Sequence, residues 1–260
     1  MRDVVTGSVS DRMSIYDGRP SYRLACMEVW GGNHRAEISV DLPGLPGWIY
    51  SHPLGSAGSG GDVHYLSVCA HGVLTRIALA DVAGHGKAIA MVAERLRKLM
   101  EKHINTWDQT ILMQELNERF REEGDGAEYA TAAVLGYYCE TGDLVFTNAG
   151  HQPTLWYQAG QKAWNWLLEG TPHAKKRVDG LPLGLISGTA YTQSAVHLGL
   201  NDLLILYTDG ITEVKNEAGV PVGARLDGGI PLSGRTCLAG CGAGVPGPYA
   251  LGGRPESYGL

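Results

Sequence analysis

Helical periodicity is confined to one stretch of this chain. Ile89, Val92, Leu96, Leu99 and Ile104, then Leu112, Leu116 and Phe120, recur every three or four positions. That is the spacing of two consecutive amphipathic helices over roughly 86–122. Thr106 to Gln109 reads as a capping box at the start of the second. Strand-like text lies on both sides of this block. "YRLACMEVWGG" and "AEISVDLPG" alternate, with breaks at Gly31-Gly32 and over Pro43 to Pro46. After the flexible, glycine-rich loop "HPLGSAGSGG" (52–61), "HYLSVCAHG" and "LTRIALADV" read as a strand pair. Beyond the helices, a "TGD" turn joins "YATAAVLGYYCE" to "LVFTNAG" in a hairpin over Tyr129–Thr147. "PTLWYQ", "AWNWLL", "YTQSAVHL" and "LLILYTDG" follow. A doubly wound parallel sheet needs helices interleaved with strands. One helical block between two runs of strands argues against it and predicts an α+β fold, a sandwich of antiparallel sheets.

At 260 residues and 44% hydrophobic, the chain can bury a sizeable core. Its net charge of −6, without a long basic run, makes nucleic acid a poor main partner. No apolar run approaches the ~20 residues a membrane helix needs. "MRDVVTGSVSDRM" lacks the apolar core of a signal peptide. The expectation is a soluble, cytoplasmic protein with no membrane partner. Cys26, Cys69 and Cys139 lie in apolar stretches, as buried free thiols would in a reducing compartment. Cys237 and Cys241 form a single CxxxC, a weak zinc signal. Three segments are expected: a flexible 1–20, a domain over 21–218, and a tail over 219–260. The tail holds 12 of the 37 glycines and almost no apolar periodicity, so disorder is expected there.

"LADVAGHGK" (79–87) poses the chemical question. An aspartate closes an apolar strand, and glycines around a histidine turn the chain. A phosphate-binding P-loop would need glycine at Asp81 and a hydroxyl at Ala88, and a dinucleotide loop would need glycine at Ile89. Both templates fail. A single strand-end aspartate is ordinarily a turn-former or helix cap. Here three glycine-flanked aspartates sit at or beside strand edges: Asp62 in "GGDVHY", Asp81, and Asp209 in "LLILYTDGITE". Clustered carboxylates repel one another unless a cation lies between them. Oxygen-only ligands suit Mg²⁺ or Mn²⁺ rather than zinc. No HExxH and no G-x-S-x-G elbow offers another chemistry.

Five motifs follow in order: "SGGDVHYL", "ALADVAGHGKAIAMV", "YATAAVLGYYCETGDLVFTNAGHQPTLWY", "GLPLGLI" and "LLILYTDGITEVKNEAG". Over about 45–219 they resemble the PPM-type metal-dependent serine/threonine protein phosphatases. The nearer likeness is to the bacterial branch of the sporulation stage II phosphatase and the anti-anti-sigma phosphatases. The resemblance implies a β-sandwich of two antiparallel sheets flanked by helices, with two Mn²⁺ or Mg²⁺ ions at its edge. A water activated by the ions would attack the phosphorus of a phosphoserine or phosphothreonine. Carried over by motif, Asp81 would bridge the ions. The Val82 carbonyl and Asp62 would serve one ion, Asp62 through water, and Asp209 the other. Gly210 would give the turn that points Asp209 inward. His85 could protonate the leaving oxygen, though an exposed loop histidine is the simpler reading. His151 in "NAGHQP" is read as structural, and Lys87 as a solvated residue of the first helical turn. The implied partner is a phosphorylated protein, in this branch a small regulator of a sigma-factor switch, with sensing left to a separate protein.

The chain departs from the family pattern at its end. The family closes with an Asp-Asp pair opening a last strand. After Asn216 the acidic residues are Glu217, Asp227 and Glu256, and none precedes an apolar strand. Loss of the last helices and closing strand is therefore expected, by truncation or a shifted reading frame. The second ion would lack a ligand and activity would be much reduced. The competing reading is a phosphatase-like binding module without catalysis.

Overall fold

A computed structural model describes residues 21–53, 58–84, 86–103, 105–168, 180–213 and 241–242. The expectations for 1–20, and for the tail apart from Cys241–Gly242, lie outside the described residues. The elements run β1 (Ser21–Arg23), β2 (Val29–His34), β3 (Ala36–Asp41), β4 (Gly47–Ser51), β5 (Ser59–Cys69), β6 (Leu74–Val82), α1 (Lys87–Lys102), α2 (Gln109–Glu122), β7 (Ala130–Tyr138), β8 (Asp143–Ala149), β9 (Thr154–Gln158), β10 (Ala163–Leu167), β11 (Ser194–His197), β12 (Leu203–Ile205), α3 (Asp209–Thr212) and β13 (Cys241–Gly242). One helical block between two runs of strands is what the periodicity predicts.

The central layer is a six-stranded sheet in the order β11-β8-β7-β6-β5-β2, antiparallel at every pairing. Its middle strands are buried on both faces, so they read as nearly continuous apolar text. Val63, Tyr65, Ala78, Ala80, Val82, Ala132 and Val134 pack against Val92, Leu96, Leu99, Leu112, Leu116 and Phe120 of α1 and α2. From the same strands Leu66, Val68, Ile77, Leu135, Leu144 and Phe146 pack the other way, on Ile38, Val40, Leu167 and Leu204. Alternate residues serving opposite cores follow from the two-residue period of a strand.

The layer facing the helix-free side of this sheet is divided. β1-β3-β4 form one small sheet and β10-β9-β12-β13 another. β1 pairs with β3 in parallel, the one parallel pairing between strands among the described residues, alongside an isolated parallel bridge between Ala132 and Gly150. The sandwich is thus confirmed, with its second sheet in two pieces. Cys241–Gly242 pairs antiparallel with Leu203–Leu204 along the edge of β12.

Four local expectations change. Gly31-Gly32 does not break a strand: β2 runs through it, with a register shift between Gly32 and His34. A Cβ at Gly31 would stand 2.1 Å from the His64 carbonyl oxygen, at φ +150, so the glycine serves a close backbone approach. The glycine-rich loop ends early, because β5 begins at Ser59. The second helix is capped two residues later than the capping box implied. Asp108 accepts from the N–H groups of Thr110 (2.8 Å) and Ile111 (3.0 Å). Gln109 is instead buried and donates to the Val145 carbonyl at 3.0 Å. Cys26 is exposed rather than buried. It sits in a turn closed by Glu28 N–H on the Ala25 carbonyl, with Met27 left-handed at φ 67.

Candidate metal centre

Two of the three aspartates meet by register. β5 and β6 pair so that Asp62 stands directly opposite Asp81, and Asp81 stands opposite Thr131 of β7 on its other side. Directly paired residues on one face have Cβ atoms about 5 Å apart, so two carboxylates there are forced together. Asp209 arrives from the other layer, just past β12, as the first residue of α3. Its charge reaches both Asp62 and Asp81.

The electrostatics record the crowding. Burial first, then the charges of Asp62 and Asp209, push Asp81 up to about 7. Asp62 is also raised, chiefly by burial. The Thr208 hydroxyl opposes that shift by donating to Asp62 Oδ2 at 3.0 Å. Asp62 and Asp81 face each other and titrate as a coupled pair, with the upward shift in both. A cation would relieve the same repulsion.

The backbone around Asp81 is shaped for close approach. A Cβ at Gly61 would lie 3.0 Å from the Val82 carbonyl oxygen and 3.2 Å from Ile89 Cγ2, so a side chain there would crowd the carbonyl beside Asp81. Beyond Val82 the chain turns through Gly84 (φ +112) and Gly86 (φ +95), conformations open to glycine. Gly86 then caps α1 without a side-chain hydrogen bond. Lys87, first in that helix, is exposed as expected. His85 lies outside the described residues. Gly210 has no left-handed φ; it lies inside the helical turn of α3, and that turn, not a glycine kink, carries Asp209.

Among the described residues, no three His, Cys, Asp or Glu side chains close into a ready-made cage. The donor set still fits a hard cation. It is all oxygen, carries excess negative charge, and is only partly enclosed. Mg²⁺ in particular keeps several of its waters and takes one or two carboxylates.

Residues that the sequence did not single out support the aspartates. Thr208 hydrogen-bonds Asp62, and Thr131 reaches His151 Nδ1 from its Oγ1 at 2.8 Å. Asn33, buried, donates to the carbonyls of Gly60 (3.0 Å) and Ala90 (2.8 Å), linking the start of β5 to α1. The hydroxyl before the aspartate in "YTDG" was a readable signal; Thr131 and Asn33 had none. His151 is 2% exposed, and burial lowers its pKa to about 4. It is a neutral residue of the frame.

Comparison with known proteins agrees with this architecture. The family described as Stage II sporulation protein E (SpoIIE) matches residues 72–226. Phosphoserine phosphatase RsbU of Bacillus subtilis (strain 168) is 26% identical over 144 residues, which are 55% of this chain and 40% of that protein. Phosphoserine phosphatase RsbP of the same organism is 26% identical over 142 residues, 53% of this chain and 33% of that protein. The chain thus spans less than half the length of either relative. Among solved structures, the RsbU and RsbW domains of Rv1364c from Mycobacterium tuberculosis superpose with a TM-score of 0.57 at 26% identity, over 74% of this chain and 50% of that one. RsbX in complex with magnesium gives a TM-score of 0.55 at 15% identity, over 68% and 79% of the two chains, a likeness of fold alone. With the family match covering more than half of its length and the sandwich in place, the chain belongs to the SpoIIE family of PPM-type phosphatase domains.

Proposed function

We propose that this chain is a metal-dependent phosphoprotein phosphatase that hydrolyses phosphoserine or phosphothreonine. The carrying observation is the Asp62–Asp81 register pair with Asp209 brought beside it. Asp81, between the other two, would hold both Mn²⁺ or Mg²⁺ ions. Asp62 and the Val82 carbonyl would serve one ion, and Asp209 the other. Bound ions supply an acidified water and neutralise the phosphoryl oxygens. The chain's own residues do the rest. Asp81 would release the proton that burial and the charges of Asp62 and Asp209 favour on it. Asp62 keeps one oxygen engaged by Thr208, which fixes the direction of the other. His85, four positions after Asp81, is the candidate to protonate the departing serine oxygen.

Two relatives named as phosphoserine phosphatases support the substrate class. Within it, the reading is a small phosphorylated regulator of the anti-anti-sigma type, with a separate protein as sensor. The test is Mn²⁺-dependent release of phosphate from a phosphoserine protein. Turnover that Asp81→Asn abolishes supports the reading. No turnover with intact folding defeats it and leaves the second reading, a non-catalytic module that docks a regulator. The open donor set favours that alternative, and a Mn²⁺ titration separates the two: bound ions favour the enzyme, none the module.

A further inference from the structure

Asp81 and Asp209 belong to different sheets. Asp81 is in the six-stranded sheet, whereas Asp209 follows β12 of the four-stranded one. Among the described residues no backbone ladder joins the two sheets. Their separation near the aspartates is set by groups that cross from one layer to the other. His151 stands at such a crossing, in the connection from β8 of the first sheet to β9 of the second.

Its surroundings hold it on several sides. Its N–H donates to Asn148 Oδ1 at 2.7 Å, and Asn148 Nδ2 donates back to its carbonyl at 3.1 Å. Gly150, left-handed at φ +71, makes the turn before it and bridges to Ala132 of β7. The imidazole Nδ1 lies 2.8 Å from Thr131 Oγ1, and Thr131 is the register partner of Asp81. The ring's Nε2 is buried without a hydrogen-bond partner, beside the main chain of Tyr207, two residues before Asp209. A rigid planar ring therefore spans from the strand beside Asp81 to the segment that delivers Asp209.

We propose that His151 is a positioning residue that sets the separation of Asp81 and Asp209 through Thr131 and the Tyr207 main chain. This rests on the metal reading above. The ring touches neither aspartate and takes no part in proton transfer. Groups behind a metal's direct ligands typically contribute about 10–100-fold in metal affinity. A ring that fixes ligand spacing acts on the ion's affinity more than on the chemical step once the ion is bound.

The experiment uses the full chain and four variants: His151→Ala, His151→Gln, Thr131→Val, and Asp81→Asn as control. Mn²⁺ binding is read from the electron paramagnetic resonance signal of free Mn²⁺, and folding from circular dichroism. Phosphate release is measured across Mn²⁺ concentrations. The expected result is Mn²⁺ binding weakened about tenfold in both His151→Ala and Thr131→Val, with turnover at saturating Mn²⁺ within a few-fold of the parent. Restoration of affinity in His151→Gln, whose amide can still meet the Thr131 hydroxyl, would add support. If His151→Ala does not fold, Thr131→Val decides. Parent-like Mn²⁺ binding in the folded variants, with Asp81→Asn binding lost, overturns the inference alone. Parent-like binding in Asp81→Asn overturns the metal reading and this inference with it.

Discussion

Asp81→Asn should make the metal-free protein more stable while abolishing its metal-dependent turnover. The folded chain holds the Asp81 carboxyl at about 7, against an ordinary 3.8. Between those values the folded state keeps a proton that the unfolded chain has released. Stability therefore falls as pH rises from about 4 to 7 and levels off above. The gap is about 3 pKa units at about 1.4 kcal/mol each, an upper bound of roughly 4 kcal/mol. Asp81 is partly accessible, and solvent screening reduces this to about 2 kcal/mol. In a domain of this size that is a rise of about 4–8 °C in Tm at pH 8. Asparagine carries no charge to repel, so the variant should keep only the smaller slope left by Asp62, itself raised by burial, and converge with the parent near pH 4. Saturating Mn²⁺ should reverse the order, because binding at 100 times Kd adds about 2.7 kcal/mol to the parent alone. Thermal unfolding in EDTA at pH 4, 6 and 8, then with Mn²⁺, measures all of this. An Asn variant no more stable than the parent at pH 8, or one that keeps the parent's pH slope, would refute the argument.

Other perturbations test the frame. Asn117 of α2 is fully buried. It accepts from Gly184 N–H (2.8 Å) and Tyr191 O–H (3.3 Å) and donates to the Ile186 carbonyl (3.0 Å), three bonds to distant parts of the chain, besides a local one to its neighbour Glu118. Asn117→Leu should cost about 3 kcal/mol, at roughly 1 kcal/mol for each lost hydrogen bond, read by urea unfolding. Gly31→Ala drives a methyl group onto the His64 carbonyl and should cost more than about 2 kcal/mol, the upper part of the usual range for a point mutation, seen as a fall in Tm.

The sequence yields architecture wherever one periodicity dominates. α1 and α2 are legible because their apolar stripes face a single sheet. β6 to β8 are legible because their runs end at glycines. The second layer is harder to read. β1 and β12 are short, and their pairing depends on partners far along the chain, as Ser21 with Ser39 or Leu204 with Trp156. Gly31 misleads because a glycine serving close approach looks identical in text to one that breaks a strand. Asp62, Asp81 and Asp209 are recognisable as a recurring pattern. That Asp62 and Asp81 are register partners is not, because register depends on how tightly the chain turns between Cys69 and Leu74. Thr131 and His151 acquire meaning only after the sheets are stacked.

The same stacking gives the two ion positions unequal support. Asp62, Asp81 and Val82 belong to long strands, paired without a break from Asp62–Asp81 to Cys69–Leu74 and backed by β7. Asp209 follows a three-residue strand and opens a four-residue helix. Its position is held by the short pairing of β12 with β9 and by the side-chain contacts of Thr208. A ligand on a short element costs more to immobilise when an ion binds, and that cost is subtracted from affinity. One Mn²⁺ should therefore bind tightly, at the position served by Asp62, Asp81 and Val82, and a second more weakly. Asp209→Asn should remove the weaker ion and leave the tighter one. Isothermal titration with Mn²⁺ counts the sites and ranks them. Equal affinities, or loss of both ions in Asp209→Asn, would show that β12 and its turn are as firmly held as the central sheet.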